Sequence, residues 1–422
     1  MIYSDFKTRV VAAGNVKAAE FFASVSLALV LLAVCRPTAT YYVGPTDLLS
    51  KIETMVYVGL TVYVVVNRHV PSKFVIAAWG FCLLVLLSTA LNGGLTFTVV
   101  STYLKIALVS YYLDEQVSRH ADRLTKVGFA ILLTLCTIDV LTIFVFKGGL
   151  FTDVRYESEY YTDILPGWFL GLKNNRTLWY MCLVCLAVYR DYRGGQRKTA
   201  ALACLGLSLF VVIYVGSSTS TIVFLVLLLA YLFSSSLSRI PFLASPTMVC
   251  IAALSVCTLL VTASGLTDLV GAVSSAFGKT ASLSGRDEIW AKTIAMVAES
   301  PVFGYGVQDT AARALQLGGV EAVNAHNQFL EALYIAGFFG LVGFVNVIFS
   351  MAGECNQRAR ISRYWLAVFL LAIFIEMMSE VLATVPIFWV ALSFTRLFAY
   401  DGNTQKHALC DLRKRRGNYD TK

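Results

Sequence analysis

FVIAAWGFCLLVLLSTALN, residues 74–92, runs for 19 positions without a charged side chain. As a helix rising 1.5 Å per residue it is about 28 Å long, close to the hydrocarbon thickness of a bilayer. Similar runs recur from residue 18 to residue 400 of the 422-residue chain. The whole is 57% hydrophobic and 14% charged, with mean hydropathy +0.69. A soluble chain averages about 45–50% apolar and about 25% charged. Two or three soluble domains, a disordered chain and a coiled coil are all excluded, and the sequence reads as an all-α integral membrane protein. The ten cysteines form no disulfide framework, because most of them, such as Cys82, Cys136, Cys204 and Cys257, sit inside apolar runs. Cys182 and Cys185 have redox spacing but also lie in an apolar stretch, where they read as packing.

Working outward, twelve spans are expected near 18–36, 52–67, 74–92, 96–113, 125–146, 166–189, 198–215, 217–235, 243–264, 327–352, 362–378 and 380–400. The first follows Lys7, Arg9 and Lys17 without a clear small-x-small cleavage site, so it reads as an uncleaved helix. Lys and Arg concentrate on cytoplasmic segments of membrane proteins. An inside N-terminus puts 22 of the 34 basic residues on inner segments and ten on outer ones. Twelve crossings return the chain to the inside, where Arg413-Lys414-Arg415-Arg416 belongs, so both termini are expected in the cytoplasm. The net charge of +8 is then mainly a topology signal, with no nucleic-acid partner implied. The expected organisation is helices 1–9 over 1–264, one large structured extracytoplasmic loop over 265–325, helices 10–12 over 326–400 and a basic tail over 401–422.

Loops that long usually carry function. Ser284-Gly285-Arg286-Asp287 has the form of a helix cap with an acid following, and Trp290, Ile294 and Val297 continue at helical spacing. Pro301 and Gly304-Tyr305-Gly306 then end the helix and turn the chain. Arg286 would project from the first turn, where free amides favour an anion and a guanidinium fork grips phosphate bidentately; a solvated surface arginine is the plainer reading. Asn324-Ala325-His326-Asn327-Gln328 precedes the next apolar run. Of the four histidines, His69, His120 and His407 fall on inner segments and His326 alone faces outward, at a helix N-terminus. A positive helix end disfavours imidazolium, leaving the neutral ring that a general base needs. A helix-entry histidine bonded at the interface is the alternative. Glu331, one turn into that helix, could orient the site.

Lys173-Asn174-Asn175-Arg176 interrupts the apolar stretch from Gly167 to Tyr189, and such a cluster is costly unless it lines a polar cavity. Alternatively the helix starts at Thr177. Arg155, Tyr156, Tyr160 and Tyr161 suit either a sugar or an interfacial aromatic belt. Glu376 and Glu380 read as a carboxylate pair or as a structural, hydrogen-bonded one, and Lys105 is expected to meet Asp139. No P-loop, zinc motif or Asp-x-Asp for a metal-bound nucleotide sugar is present, so no metal or other cofactor is expected.

Ser284-Gly285-Arg286, Trp290, Pro301, Gly304-Tyr305-Gly306 and Ala325-His326-Asn327, with Leu330, Glu331 and Gly337, together resemble the O-antigen ligase/polymerase family of bacterial membrane glycosyltransferases. The motif-bearing resemblance covers about 280–345. It implies a multi-pass protein of the cytoplasmic (inner) membrane that moves a glycan from an undecaprenyl-diphosphate-linked donor to a saccharide or glycolipid acceptor. It further implies inverting, metal-independent transfer on the outer face without a nucleotide sugar. Carried over, Arg286 would hold the diphosphate and His326 would be the base. Many members have an arginine in a Ser-Arg stretch at mid-chain; here Ser217-Ser218-Thr219-Ser220-Thr221 has none, and Arg176 with Lys173 is the expected substitute. Arg155, Asn175, Asn327 and Glu331 complete the expected substrate-binding set. Polymerase is favoured over ligase on the missing arginine and the modest loop, with a flippase and a chain-length regulator as a polymerase's partners. A lipid-linked oligosaccharide flippase is the reading from another class. It expects charge spread through many spans and inverted repeats, and the polar residues here gather on one face without a repeat.

Overall fold

The computed structural model describes residues 2–157, 162–194, 199–262, 286–317, 324–355 and 358–400. Ser284, Gly285, the 264–285 and 318–323 parts of the loop, the basic tail and the side chain of Arg155 lie outside the described residues. The fold is a helical bundle. Its first half comprises α1 (Ile2–Val34), α2 (Thr46–Val66), α3 (Lys73–Leu91), α4 (Phe97–Arg119) and α5 (Ala121–Val145). A ribbon of β1 (Phe151–Glu157) and β2 (Thr162–Gly167) precedes α6 (Thr177–Gly194), α7 (Thr199–Tyr214), α8 (Ser218–Leu232) and the short α9 (Ser234–Leu237). Then come α10 (Pro246–Thr262), α11 (Arg286–Glu299), α12 (Thr310–Leu317), α13 (Gln328–Glu354), α14 (Arg360–Met377) and α15 (Pro386–Thr395).

Among the described residues four helices, α2, α3, α5 and α13, are long and apolar enough to cross a membrane, and shorter apolar helices accompany them. Many of their large side chains face outward, including Val65, Leu83 and Leu141. Apolar surface on that scale suits lipid and is costly in water. The family of apolar helices identifies a multi-pass membrane protein. Inside, α3 and α13 cross closely because Gly343 carries no side chain; a Cβ there would lie 2.8 Å from Leu84 Cδ1. Phe329 stacks on Phe374, and Trp389 is fully buried beside Phe388.

Polar contacts gather at two ends of the bundle. At one, the 36–46 connection meets 169–170 through Ala39 N to Phe169 O (3.1 Å) and Thr38 Oγ1 to Leu170 O (3.0 Å). At the same end Asn92 donates to Gly304 O, and Asn174 meets both Ser217 and Glu380. At the other end Arg396 binds Asp114 and Glu354, His69 meets Asp114, and Arg193 meets Asp122.

Four sequence expectations need correction. The ribbon β1–β2, antiparallel with a bulge between Val154 and Tyr156, adds a sheet to a chain expected to be all-α. The sixth helix starts at Thr177 rather than near 166: Pro166 and Gly167 close β2, and residues 168–176 turn irregularly through a Trp168–Gly171 bridge. Its cations therefore lie ahead of the helix, which removes the cost of carrying them within it. Lys105 pairs with Glu53 at 2.8 Å, not with Asp139. The last apolar run is helical only from Pro386, a residue preorganised for the first helical turn.

α13 is broken. Ala336 and Gly337 leave helical geometry, with Gly337 at φ +60°. The carbonyls of Tyr334 and Ile335, freed by the break, accept from Tyr305 N (2.9 Å) and Gly306 N (2.8 Å). Ser88 Oγ adds a bond to Ile335 O, and Phe338 N donates to Pro301 O. Gly304 and Gly337 lie so close that a Cβ on either would fall within 2.5 Å of the other strand's backbone. Irregular backbone at membrane depth survives only when its polar groups are satisfied in this way. Pro301 and the two glycines thus thread the loop into the helix break instead of merely ending α11.

Candidate active site

The segment carrying His326 is held from three sides. Asn327 caps α13: its Oδ1 accepts from Phe329 N (3.0 Å) and Leu330 N (3.1 Å). Its Nδ2 donates to Met378 O and Cys257 Sγ, so the amide is wholly turned to the protein. Glu331, buried one turn on, accepts from Ala325 N at 2.9 Å and takes both arms of Arg313 at 2.6 Å each. Arg313 lies over the Tyr334 ring at 4.3 Å. A fork-to-fork pair of this kind is the strongest geometry available to two side chains, and it fixes the backbone entering His326. From α11, Trp290 Nε1 donates to Ala325 O at 3.0 Å.

His326 itself stands in the left-handed region at φ +45°, with its amide donating to Asn324 Oδ1 at 2.8 Å. A non-glycine residue held there carries strain that the surroundings must over-determine. Trp290, Glu331 and the Asn327 cap supply that constraint.

Arg286 opens α11, four residues before Trp290 and therefore on the same face, about 6 Å along the axis. One of its nitrogens binds Glu380 Oε1 at 3.2 Å, and both side chains keep about a fifth of their surface open, 21% and 18%. Glu380 reaches this position because the turn after α14 docks on α13, where Gln328 Oε1 accepts from Leu382 N (2.7 Å) and Ala383 N (2.8 Å). The same Glu380 oxygen accepts from Asn174 Nδ2 at 2.7 Å. Asn174 Oδ1 accepts from Ser217, and Ser220 bridges Ser217 and Thr177. Beneath them lies buried Glu376, beside the hydroxyls of Ser220 and Thr177. Glu376 and Glu380 thus do different work: one is packed among hydroxyls and the other faces Arg286.

The structure brings Arg286, the His326 segment, Asn327 and Glu331 together. It does not bring Arg176 to them. Arg176 is 0% exposed, 2.9 Å from Asp139 Oδ2, which is also 0% exposed, and it donates to Gly171 O and lies over Trp168. Lys173 is half-buried and Asn175 exposed, so Asn174 is the amide of that cluster that meets Arg286's partner. Two contributors escaped the sequence reading. Asn174 was noted only as part of a cluster. Arg313 was missed, although a signal existed: it is the only Lys or Arg between Lys292 and Glu331, and a carboxylate in an apolar helix demands a cation.

Below Asn327 an apolar cavity of 290 Å³ opens between α10, α11 and α13, lined by Cys257, Val261, Ile294, Val297, Leu330 and Leu333 among others. Among the described residues no three His, Cys, Asp or Glu side chains form a metal-holding group.

None of the curated proteins matches the chain. The family model described as O-antigen ligase matches residues 203–345, from α7 through the break in α13. That third of the chain includes Arg286, the glycine clamp, Arg313, His326, Asn327 and Glu331, and leaves out Asn174, Arg176 and Glu380. Over those residues this membrane chain is similar to the O-antigen ligase family.

Proposed function

We propose that the chain is a polysaccharide polymerase of the cytoplasmic (inner) membrane. It transfers glycan from an undecaprenyl-diphosphate-linked donor to an acceptor saccharide on the outer face. One observation carries this reading: Arg286, partly open and held by one nitrogen on Glu380, stands one turn from Trp290, whose indole fixes the residue before His326. A diphosphate offers Arg286 a stronger, bidentate partner than Glu380 does. The polyprenyl chain then runs into the apolar cavity below Asn327. His326 takes the proton from the acceptor hydroxyl as its oxygen attacks the anomeric carbon. The bond from that carbon to the diphosphate oxygen breaks, and the configuration inverts. Undecaprenyl diphosphate leaves with its charge on Arg286, so the reading assigns no metal.

The accompanying topology has twelve spans with both termini in the cytoplasm, and the 265–325 loop outside. The basic-residue asymmetry supports it, and so does the sorting of polar contacts to two ends: among the described residues the outward 36–46 connection meets 169–170, while Arg193 meets Asp122 at the opposite end. Polymerase is preferred to ligase because the Ser217–Thr221 stretch offers hydroxyls and no arginine to the site.

The test uses purified protein in vesicles with donor-linked repeat units alone, in EDTA. The expected product is a ladder of longer chains still on the carrier. Product formed only after a terminal lipid acceptor is added would make the chain a ligase. Activity lost in EDTA and restored by a divalent ion would overturn the metal-free step.

A further inference from the structure

At the end of the bundle opposite Arg286, two cavities share His120 and Arg123 as a common wall. The first, of 560 Å³, lies around the α4–α5 connection and carries Arg119, Arg123, Lys126 and Arg193 against only Glu20 and Asp122. The second, of 500 Å³, is a groove between α1, α2 and α4, lined by Phe22, Val25, Leu29, Val56, Leu60 and Tyr63 among others. From Phe22 to Val30 it follows α1 for about 12 Å into the apolar depth of the bundle.

The basic cavity is not neutralised by its own neighbours. Arg119 is engaged with Glu115 at 3.1 Å and Arg193 with Asp122. Arg123 donates one weak bond, 3.3 Å, to Gln116, and its buried Nε finds no hydrogen-bond partner among the described residues. That group lies where the basic cavity becomes the apolar groove. A phosphate there would meet the unsatisfied guanidinium, and an acyl chain leaving it would enter the groove directly. The change from cationic to apolar lining matches the change from headgroup to acyl chain along one lipid molecule. Gly59 keeps the groove open, since a Cβ on it would meet nothing within 4 Å.

We propose that the two cavities form one site for an anionic glycerophospholipid. Its phosphate sits among Arg119, Arg123 and Lys126, and one acyl chain lies between α1, α2 and α4. With both termini inside, this lipid belongs to the cytoplasmic leaflet. The site is separate from donor chemistry at the other end.

The test measures lipid retention by native mass spectrometry and thermal stability of detergent-purified protein. The probes are phosphatidylglycerol, phosphatidylcholine and glycerol phosphate. Phosphatidylglycerol should bind and raise the melting temperature, and the other two should do neither. Replacing Arg123 and Lys126 by Gln together should weaken it by about thirtyfold, from the loss of two cations near the surface. Gly59→Leu fills the groove without touching a charge, keeps the helix and should weaken binding too. Equal retention of phosphatidylcholine would mean ordinary bilayer lipid fills the groove and would overturn the proposal. So would binding of glycerol phosphate as tight as the lipid's, or undiminished lipid binding by Gly59→Leu.

Discussion

Two arginine–carboxylate pairs stand at the same end of the bundle and differ in what they can do. Arg176 and Asp139 are wholly enclosed: Tyr180 and Leu170 N donate to Asp139, Gly171 O accepts from Arg176, and the Arg176 Nε alone is left without a hydrogen-bond partner among the described residues. Arg286 and Glu380 share one contact at 3.2 Å and stay open. A buried pair gains little by existing but is costly to break, because the survivor is left charged in an apolar interior. An open pair is weak and can exchange partners. In a membrane chain, the arginine that looks more anomalous in sequence is therefore the structural one. The arginine that looks like ordinary surface is the one available to a ligand.

The largest effect that would break this comparison is on folding. Arg176→Ala should destabilise the protein by about 3–5 kcal/mol, read as lost monodisperse protein and a lowered melting temperature. Replacing Arg176 by Met and Asp139 by Leu together should restore most of it, with activity following the fold. Activity absent from a well-folded double variant would place Arg176 in substrate binding after all.

Arg286→Lys comes next and should leave the melting temperature nearly unchanged. Lysine keeps the charge but loses the fork, so donor affinity should fall by one charge-assisted bond. That is about 1.5–3 kcal/mol, or roughly 10- to 150-fold. Wild-type affinity in this variant would return Arg286 to the role of a solvated cation.

Glu380→Gln should give the smallest change. Gln still accepts from Asn174 but releases Arg286, so stability should move by less than about 1 kcal/mol. Donor binding should tighten by up to about fivefold. A weakened donor would mean that Glu380 positions Arg286 instead of competing for it.

Much of this was legible because apolar runs and basic flanks are written in one dimension. The runs at 74–92 and 125–146 became α3 and α5 almost to their ends, and Arg286, Trp290, His326 and Asn327 do come together. What stayed hidden depends on neighbours distant in the chain. The partner of Asp139 is Arg176 rather than Lys105, because Lys105 meets Glu53 first, on the neighbouring α2. The break at Gly337 is invisible in a hydropathy window, since glycine is tolerated in apolar helices; only the amides of Tyr305 and Gly306 reveal its purpose. Polar clusters at span ends are likewise ambiguous, and at 168–176 the chain turns Arg176 inward while Lys173 stays half-buried.

The central claim is that His326, held in its left-handed position by the Trp290, Glu331 and Asn327 contacts, is the base while Arg286 holds the donor. The most direct measurement compares donor binding and transfer by His326→Ala with wild type in the same EDTA-treated vesicles. The account predicts unchanged expression and donor affinity, with transfer reduced by about 10²–10⁴-fold. Polymer formation by His326→Ala at the wild-type rate would contradict it.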